Sequence, residues 1–103
     1  MPQLKPSVCI DAVLGDLSPA DALQVVADAG IPAFEFWGWW DKDLDQVESA
    51  RDQHQAQIAS CCTKFISLVD PALRDGYLAG LAESIAAAQR LKCPTLILSL
   101  IHI

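Results

Sequence analysis

Short apolar runs alternate with longer amphipathic stretches along the chain, and this alternation predicts the element order βαβαβαβ. The predicted strands span residues 7–11, 32–37, 57–63 and 94–97. The predicted helices span residues 18–29, residues 43–55 and a stretch of about 20 residues that opens at Asp70.

Helix start signals support two of these assignments. Ser18 stands at a predicted N-cap with Pro19 at the first helical position, and Asp70 with Pro71 repeats the pattern. Gly30 stands where a C-terminal cap belongs. The inward faces predicted from helical spacing are Ala22, Val25, Val26 and Ala29; Leu44, Val47 and Ala50; and Leu73, Tyr77, Leu78, Leu81, Ile85 and Ala88.

Strands that alternate with helices imply an α/β fold with parallel strands and right-handed crossovers. Two architectures fit this pattern: a small open doubly wound sheet, or the first half of a (β/α)8 TIM barrel. The spacing of the units suits either, and a complete barrel needs about 250 residues. We favour the half-barrel over residues 1–97.

Composition restricts the function. The net charge is −6 with only 7 Lys and Arg residues, which argues against sequence-independent nucleic-acid binding. No signal peptide or membrane-spanning stretch is evident, so we expect a cytoplasmic protein without a membrane partner. The four cysteines lack CxxC spacing and indicate buried reduced thiols, with a reactive Cys62 as the less favoured alternative.

The C-terminal residues 98–103 form a separate case. Their sequence, Leu-Ser-Leu-Ile-His-Ile, matches the translation of a transposon-end adapter used in sequencing libraries. We therefore expect a non-native tail from residue 98, native sequence ending near Ile97, and no functional role for His102. An ordinary apolar strand end is the alternative.

Three segments carry a family resemblance. Residues 29–37, Ala-Gly-Ile-Pro-Ala-Phe-Glu-Phe-Trp, are similar to the Ala-Gly-Phe-x-Ala-Val-Glu-Phe stretch of the hydroxypyruvate isomerase-like branch of the xylose-isomerase-like TIM-barrel superfamily. Residues 70–75 with 81–85, and residues 88–97, resemble its third helix and fourth strand. Lys92 departs from a glycine that is common in that family.

The resemblance implies a closed barrel that moves a proton between adjacent carbons of hydroxypyruvate or a small sugar with a divalent metal as cofactor. It places the catalytic carboxylates and the metal ligands in the second half of the barrel, so no catalytic or metal-binding residue is assigned here. We expect these residues alone to be inactive. The alternatives are a sugar epimerase or an endonuclease of the same superfamily, or a complete small α/β binding domain.

On this fold, the loops after the strands form the active-site face, here residues 12–17, 38–42 and 64–69. The predicted substrate-binding residues are Trp37, Trp39, Glu35 and Lys64. Trp39 equally fits packing between loop and helix, as does Trp40, and Lys64 equally fits a solvated side chain. Glu35 also fits a buried acid paired with a base such as Lys64.

The remaining expectations concern neighbouring residues and partners. Asp11, like Lys64, fits either substrate binding or a solvated side chain. His54 lies far from the loop face and is predicted to be structural. The apolar third loop, residues 65–69, is expected to cover the substrate or form a subunit contact. The expected partners are a small sugar or hydroxy-acid substrate and, in a homo-oligomer, a second copy of the protein.

Overall fold

A computed structural model describes residues 4–98, and its strands are parallel and lie side by side in chain order. Most of the predicted tail, residues 99–103 with His102, lies outside the described residues. The strands are β1 (Ser7–Cys9), β2 (Ala33–Glu35), β3 (Gln57–Ile58), β4 (Cys61–Cys62) and β5 (Leu96–Ile97). The helices are α1 (Ile10–Val13), α2 (Pro19–Asp28), α3 (Leu44–His54) and α4 (Arg74–Leu91), with a 3-10 turn at Pro71–Leu73 before α4.

Strand order decides between the two architectures. β1 pairs with β2, β2 pairs with β3, and β4 pairs with β5, all in parallel. A doubly wound sheet reverses its strand order at a switch point, whereas here β1, β2 and β3 lie in chain order, and so do β4 and β5. This order confirms the predicted α/β class and is that of a TIM barrel.

The third predicted strand, residues 57–63, is wrong as one regular strand. It forms β3 and β4, separated by Ala59 and Ser60. Ile58 and Cys61 are both buried in the core, so two residues separate them where regular alternation allows one. This extra residue acts as a β-bulge and shifts the alternation of faces by one position.

The first predicted strand also ends early. β1 stops at Cys9, and Ile10–Val13 forms one helical turn closed by a bond from Leu14 N–H to Ile10 O (2.8 Å). The chain then passes so close to this turn that a Cβ on Gly15 would lie 2.7 Å from the Asp11 carbonyl oxygen. Glycine at position 15 is therefore a steric requirement of this turn.

The predicted helix boundaries are confirmed to within a few residues. The Ser18 hydroxyl accepts a bond from Asp21 N–H (3.2 Å), and the Asp70 carboxylate accepts one from Ala72 N–H (2.9 Å). Gly30 follows α2 with φ +75°, the left-handed conformation that favours glycine after a helix. Asp70 caps the 3-10 turn, and α4 begins only at Arg74.

Part of the predicted inward face is wrong. On α2 the buried residues are Ala22, Leu23 and Val26, while Val25 and Ala29 are exposed. On α4, Leu78 and Ile85 are exposed and Leu81 is half-buried, and Leu73, in the 3-10 turn before this helix, is exposed as well. The buried face of α4 consists of Tyr77, Gly80, Ser84, Ala87, Ala88 and Leu91. Helix α4 therefore has two apolar faces. The face made mostly of small residues packs inward, because small side chains let the helix lie close to its neighbours.

The core lies between the sheet and the helices. Phe34 and Phe36 are both buried and their rings stack at 6.2 Å, while Leu23 of α2 and Val47 of α3 pack in the same cluster. None of the four cysteines forms a disulfide; Cys61 and Cys93 are buried, and the other two are partly exposed. Within residues 4–98, no helix has the length and apolar character needed to cross a bilayer.

Two leucines of α4 test which face of that helix supports the core. Leu91 is fully buried and Leu78 is 52% exposed. We expect Leu91→Ala to lower the free energy of unfolding in urea by about 2–5 kcal/mol, because it leaves a cavity. Leu78→Ala is the matched control and is expected to change it by less than about 1 kcal/mol. Equal losses in the two variants would contradict this packing.

Candidate functional site

The three loops that follow the strands meet on one side of the sheet, as predicted. Asp11, beside the first loop, accepts a bond from Gly38 N–H of the second loop (3.4 Å). Trp40 of the second loop meets Phe65 of the third loop edge-to-face, with ring centroids 4.8 Å apart. His54 is the last residue of α3 and lies at the opposite end of the fold, as expected.

The carboxylate of Asp11 ties the first two loops together. Its Oδ2 atom accepts bonds from Trp37 N–H (2.6 Å) and from the Lys42 ammonium (2.9 Å), besides that from Gly38. The helical turn of α1 places the Asp11 carboxylate beside the start of the second loop. In an extended strand this side chain would point in a different direction. Asp11 is therefore not a solvated side chain: its carboxylate has a structural role in the folded loop.

Sequence reasoning missed Lys42, although it is the partner on which this tie depends. Its side chain is 8% exposed, and its ammonium also donates to Gly38 O (2.7 Å) and to Asp41 Oδ1 (3.1 Å). The ammonium also lies 5.1 Å from the centre of the Phe36 ring. Three acceptors use the three donors of an ammonium, so Lys42 has none left for a ligand.

Glu35 lies on the face of β2 opposite to Phe34 and Phe36, as the alternation of the strand predicts. Its Oε2 atom accepts a bond from the Ser60 hydroxyl at 2.8 Å. The bulge at Ala59 and Ser60 sets this contact, since regular alternation would place Ser60 on the same face as Ile58. Sequence reasoning assigned no role to Ser60, because a bulge has no clear signal in this segment.

Lys64 and Glu35 are not brought together. The Lys64 ammonium pairs with the Glu83 carboxylate of α4 at 2.8 Å and lies 5.6 Å from the centre of the Trp39 ring. Its side chain is about one-third exposed, so this pair is accessible to water. Lys64 thus faces the helix layer, and the partner of Glu35 among residues 4–98 is a hydroxyl group.

Ser84 anchors the second and third loops to α4. Its buried hydroxyl accepts bonds from Trp39 Nε1–H (3.0 Å) and Lys64 N–H (3.1 Å) and donates to Gly80 O (2.7 Å). A Cβ on Gly80 would lie 3.0 Å from Ile66 Cδ1, so the small residue lets the third loop approach the helix. Trp39 therefore packs between loop and helix.

Sequence reasoning missed Ser84 as well. A signal was present, because Tyr77, Gly80, Ser84 and Leu91 recur at helical spacing and a serine on such a face needs bonding partners.

Trp37 is presented differently from the other tryptophans. Its backbone N–H donates to Asp11, and its carbonyl accepts a bond from Cys62 N–H at 2.9 Å. The backbone is thus fixed on both sides while the residue is 49% exposed. Trp40, in contrast, packs against Trp39 and Phe65. Trp37 is the tryptophan whose indole is most available to a ligand.

Cys62 does not have the properties of a nucleophile. Burial raises the pKa of its thiol, and the nearby carboxylates of Asp11 and Glu35 raise it further. The thiol is therefore neutral at pH 7, whereas the thiolate is the reactive species.

A small cavity of about 220 Å³ lies on the loop side next to Asp11 and Lys42. This volume is below the roughly 300–1,000 Å³ of typical ligand pockets. Among residues 4–98, no three His, Cys, Asp or Glu side chains are grouped so that they could hold a metal ion.

Comparisons with known proteins find similarity among solved structures. No family model matches the chain, and no curated protein gives a significant match. Among solved structures, the chain is similar to an AP endonuclease, family 2, from Brucella melitensis, with a TM-score of 0.83 and 15% identity over 91% of this chain and 40% of that one. It is also similar to protein SMc04130 from Sinorhizobium meliloti 1021, with a TM-score of 0.74 and 18% identity over 89% of this chain and 34% of that one.

These likenesses show that the described residues have the fold of part of a TIM barrel. The chain spans well under half the length of either structure.

Removing the Ser84 hydroxyl tests the anchor. We expect Ser84→Ala to lower the free energy of unfolding by about 1–3 kcal/mol, because it leaves two partly buried N–H donors without their acceptor. The tryptophan fluorescence spectrum of the folded variant should also shift, since Trp39 loses its bond. Ser67→Ala, at a hydroxyl that accepts one longer bond (3.4 Å), is the control and should change neither quantity appreciably. An unchanged spectrum and stability for Ser84→Ala would disprove the anchoring role.

The two carboxylates on Lys42 give a second test. Asp11→Asn should lower the free energy of unfolding by about 1–3 kcal/mol, because it weakens the bonds to an ammonium that is largely buried. Asp41→Asn is the matched control: its carboxylate touches the same ammonium but is 64% exposed, and we expect a loss below about 1 kcal/mol. Urea unfolding at low ionic strength measures both, and a larger loss for Asp41→Asn would refute the assignment.

Proposed function

We propose that this chain supplies part of the substrate-binding wall of an isomerase of the xylose-isomerase-like superfamily, acting on hydroxypyruvate or a small sugar. The observation that carries the proposal is the placement of Glu35 and Trp37. Both lie at the carboxyl end of β2 and alternate with the buried Phe34 and Phe36. In TIM barrels the carboxyl ends of the strands form the active-site face.

The chemistry of these two residues suits a hydroxylated substrate. An exposed indole packs against the C–H face of a sugar and shields it from water. The Glu35 carboxylate accepts hydrogen bonds from substrate hydroxyl groups while Ser60 holds one of its oxygens in place. Bonds to Asp11 of α1 and from Cys62 of β4 fix the backbone of Trp37, which lowers the entropic cost of ordering the site on binding.

The proposal includes a divalent metal only in the complete barrel, not in the described residues. The described residues do not fit a metal centre, since no three suitable donors are grouped among residues 4–98. We therefore assign Glu35 and Trp37 to substrate binding and derive no catalytic step from them. We propose a cytoplasmic location for this protein and a small organic molecule as its substrate.

An endonuclease is the second candidate, and the name of the similar structure from Brucella melitensis favours it. The electrostatics of this chain argue against it. The net charge is −6, and the loop-side lysines, Lys42 and Lys64, are each paired with carboxylates. Phosphate binding depends on cationic side chains that are free to replace counterions, and these two are not.

The test uses the complete barrel that contains this segment. We expect it to interconvert hydroxypyruvate and tartronate semialdehyde when a divalent metal is added. We expect Trp37→Ala to raise KM about tenfold or more, because it removes a binding surface worth about 1.4 kcal/mol. Trp37→Phe keeps an aromatic face and is the matched control, with an expected rise in KM below about threefold.

Three outcomes separate the candidates. Cleavage of DNA at abasic sites without turnover of hydroxypyruvate would establish the endonuclease. Epimerisation of sugars without hydroxypyruvate turnover would move the protein to the epimerase branch. An unchanged KM in Trp37→Ala, with hydroxypyruvate turnover retained, would refute the assigned role of this tryptophan alone.

A further inference from the structure

Two buried thiols lie in contact where β4 meets the segment that leads into β5. The sulfur atoms of Cys61 and Cys93 are 3.9 Å apart. Cys61 is fully buried in β4, and Cys93 is 7% exposed between the end of α4 and β5. Among residues 4–98, no other pair of cysteine sulfurs lies within hydrogen-bond distance.

Hydrogen bonds hold the backbone on both sides of this pair. Cys61 N–H donates to Thr95 O (3.3 Å), and Cys93 N–H donates to Ala88 O (2.8 Å). A disulfide requires the sulfurs to approach to about 2.05 Å, a small side-chain movement from their present separation. The adjacent Cys62 lies on the other face of the strand and makes no such contact, which makes it a natural control.

We propose that Cys61 and Cys93 form a reversible disulfide in response to peroxide, which locks β4 to the segment entering β5. This lock is independent of the function proposed above. It closes a loop of roughly 30 residues that contains the third loop and all of α4.

The two thiols are not equivalent. They share a hydrogen bond, which lowers the pKa of Cys93 to about 7 and raises the pKa of Cys61. Because the thiolate is the nucleophile, Cys93 is the sulfur that reacts first with an oxidant. Cys61, whose sulfur lies 3.9 Å away, then supplies the second, resolving thiol.

The reaction balances with hydrogen peroxide as the oxidant. The Cys93 thiolate attacks one peroxide oxygen, the O–O bond breaks, and a sulfenic acid forms with release of hydroxide. The Cys61 sulfur then attacks the sulfenic sulfur, the S–O bond breaks, and water leaves as the disulfide forms. In total, two thiols and one peroxide give one disulfide and two waters.

A cavity lies next to the segment that carries the pair. A cavity of about 520 Å³ is lined by Lys92 and Pro94, the two chain neighbours of Cys93, and by Ile58 and Ala59 beside β4. Hydrogen peroxide is close to water in size and fits such a space, whereas a protein oxidant does not. Peroxide is therefore the oxidant that suits this buried pair.

The test is thiol counting on the 103-residue chain after treatment with stoichiometric hydrogen peroxide. We expect free thiols to fall from four to two, and peptide mapping without reductant to link the peptide containing Cys61 to that containing Cys93. Dithiothreitol should restore all four. The melting temperature of the oxidised chain should exceed that of the reduced chain by about 5 °C or more.

The double variant Cys9→Ser with Cys62→Ser keeps the core pair intact and identifies the partners without ambiguity. It should lose both of its remaining thiols on oxidation. Cys93→Ser should keep three free thiols and show no rise in melting temperature. Retention of both thiols in the double variant, a link from Cys62 to Cys9 in the wild type, or a lower melting temperature on oxidation would each overturn the proposal.

Discussion

The loop face of this protein depends on one carboxylate. Asp11 accepts two backbone N–H groups from the turn after β2 and the ammonium of Lys42 from the same turn. Backbone donors that point at a carboxylate give charge-assisted bonds, and a largely buried ammonium makes that carboxylate costly to replace. The position of Trp37, and hence of the surface it offers to a ligand, follows from this single acceptor.

The charges on this face are balanced in a way that favours neutral, hydroxylated ligands. Lys42 and Lys64 are both neutralised by carboxylates of the chain itself. Glu35 keeps one carboxylate oxygen that makes no hydrogen bond to the described residues. A phosphate diester would therefore meet carboxylate acceptors here and few available donors. For the proposed substrates, in contrast, the free Glu35 oxygen is an acceptor suited to a hydroxyl group.

The sequence was sufficient to predict the order of elements, the parallel sheet and the helix caps, because these follow from local periodicity and from capping chemistry. It also placed Glu35 on the face opposite to the two phenylalanines. Lys42 and Ser60 could not be predicted as organising residues, since their partners lie 31 and 25 positions away. Helical spacing marks Ser84 as inward-facing, but it does not identify the partners of Ser84, which lie 20 and 45 positions away. The inward face of α4 was mispredicted because hydrophobicity alone does not distinguish a close-packed face of small residues from an outer face of leucines.

The bulge at Ala59 and Ser60 has a consequence for what each part of the sheet can contact. Before it, the strand follows the phase of β2; after it, Cys61 and Thr63 donate backbone bonds to Thr95 and Ile97 in the opposite phase. The extra residue thus divides the sheet into two blocks with separate frames of alternation. Because the phase changes there, the Ser60 side chain reaches the face that carries Glu35, while the backbones of Cys61 and Thr63 stay available to pair with β5.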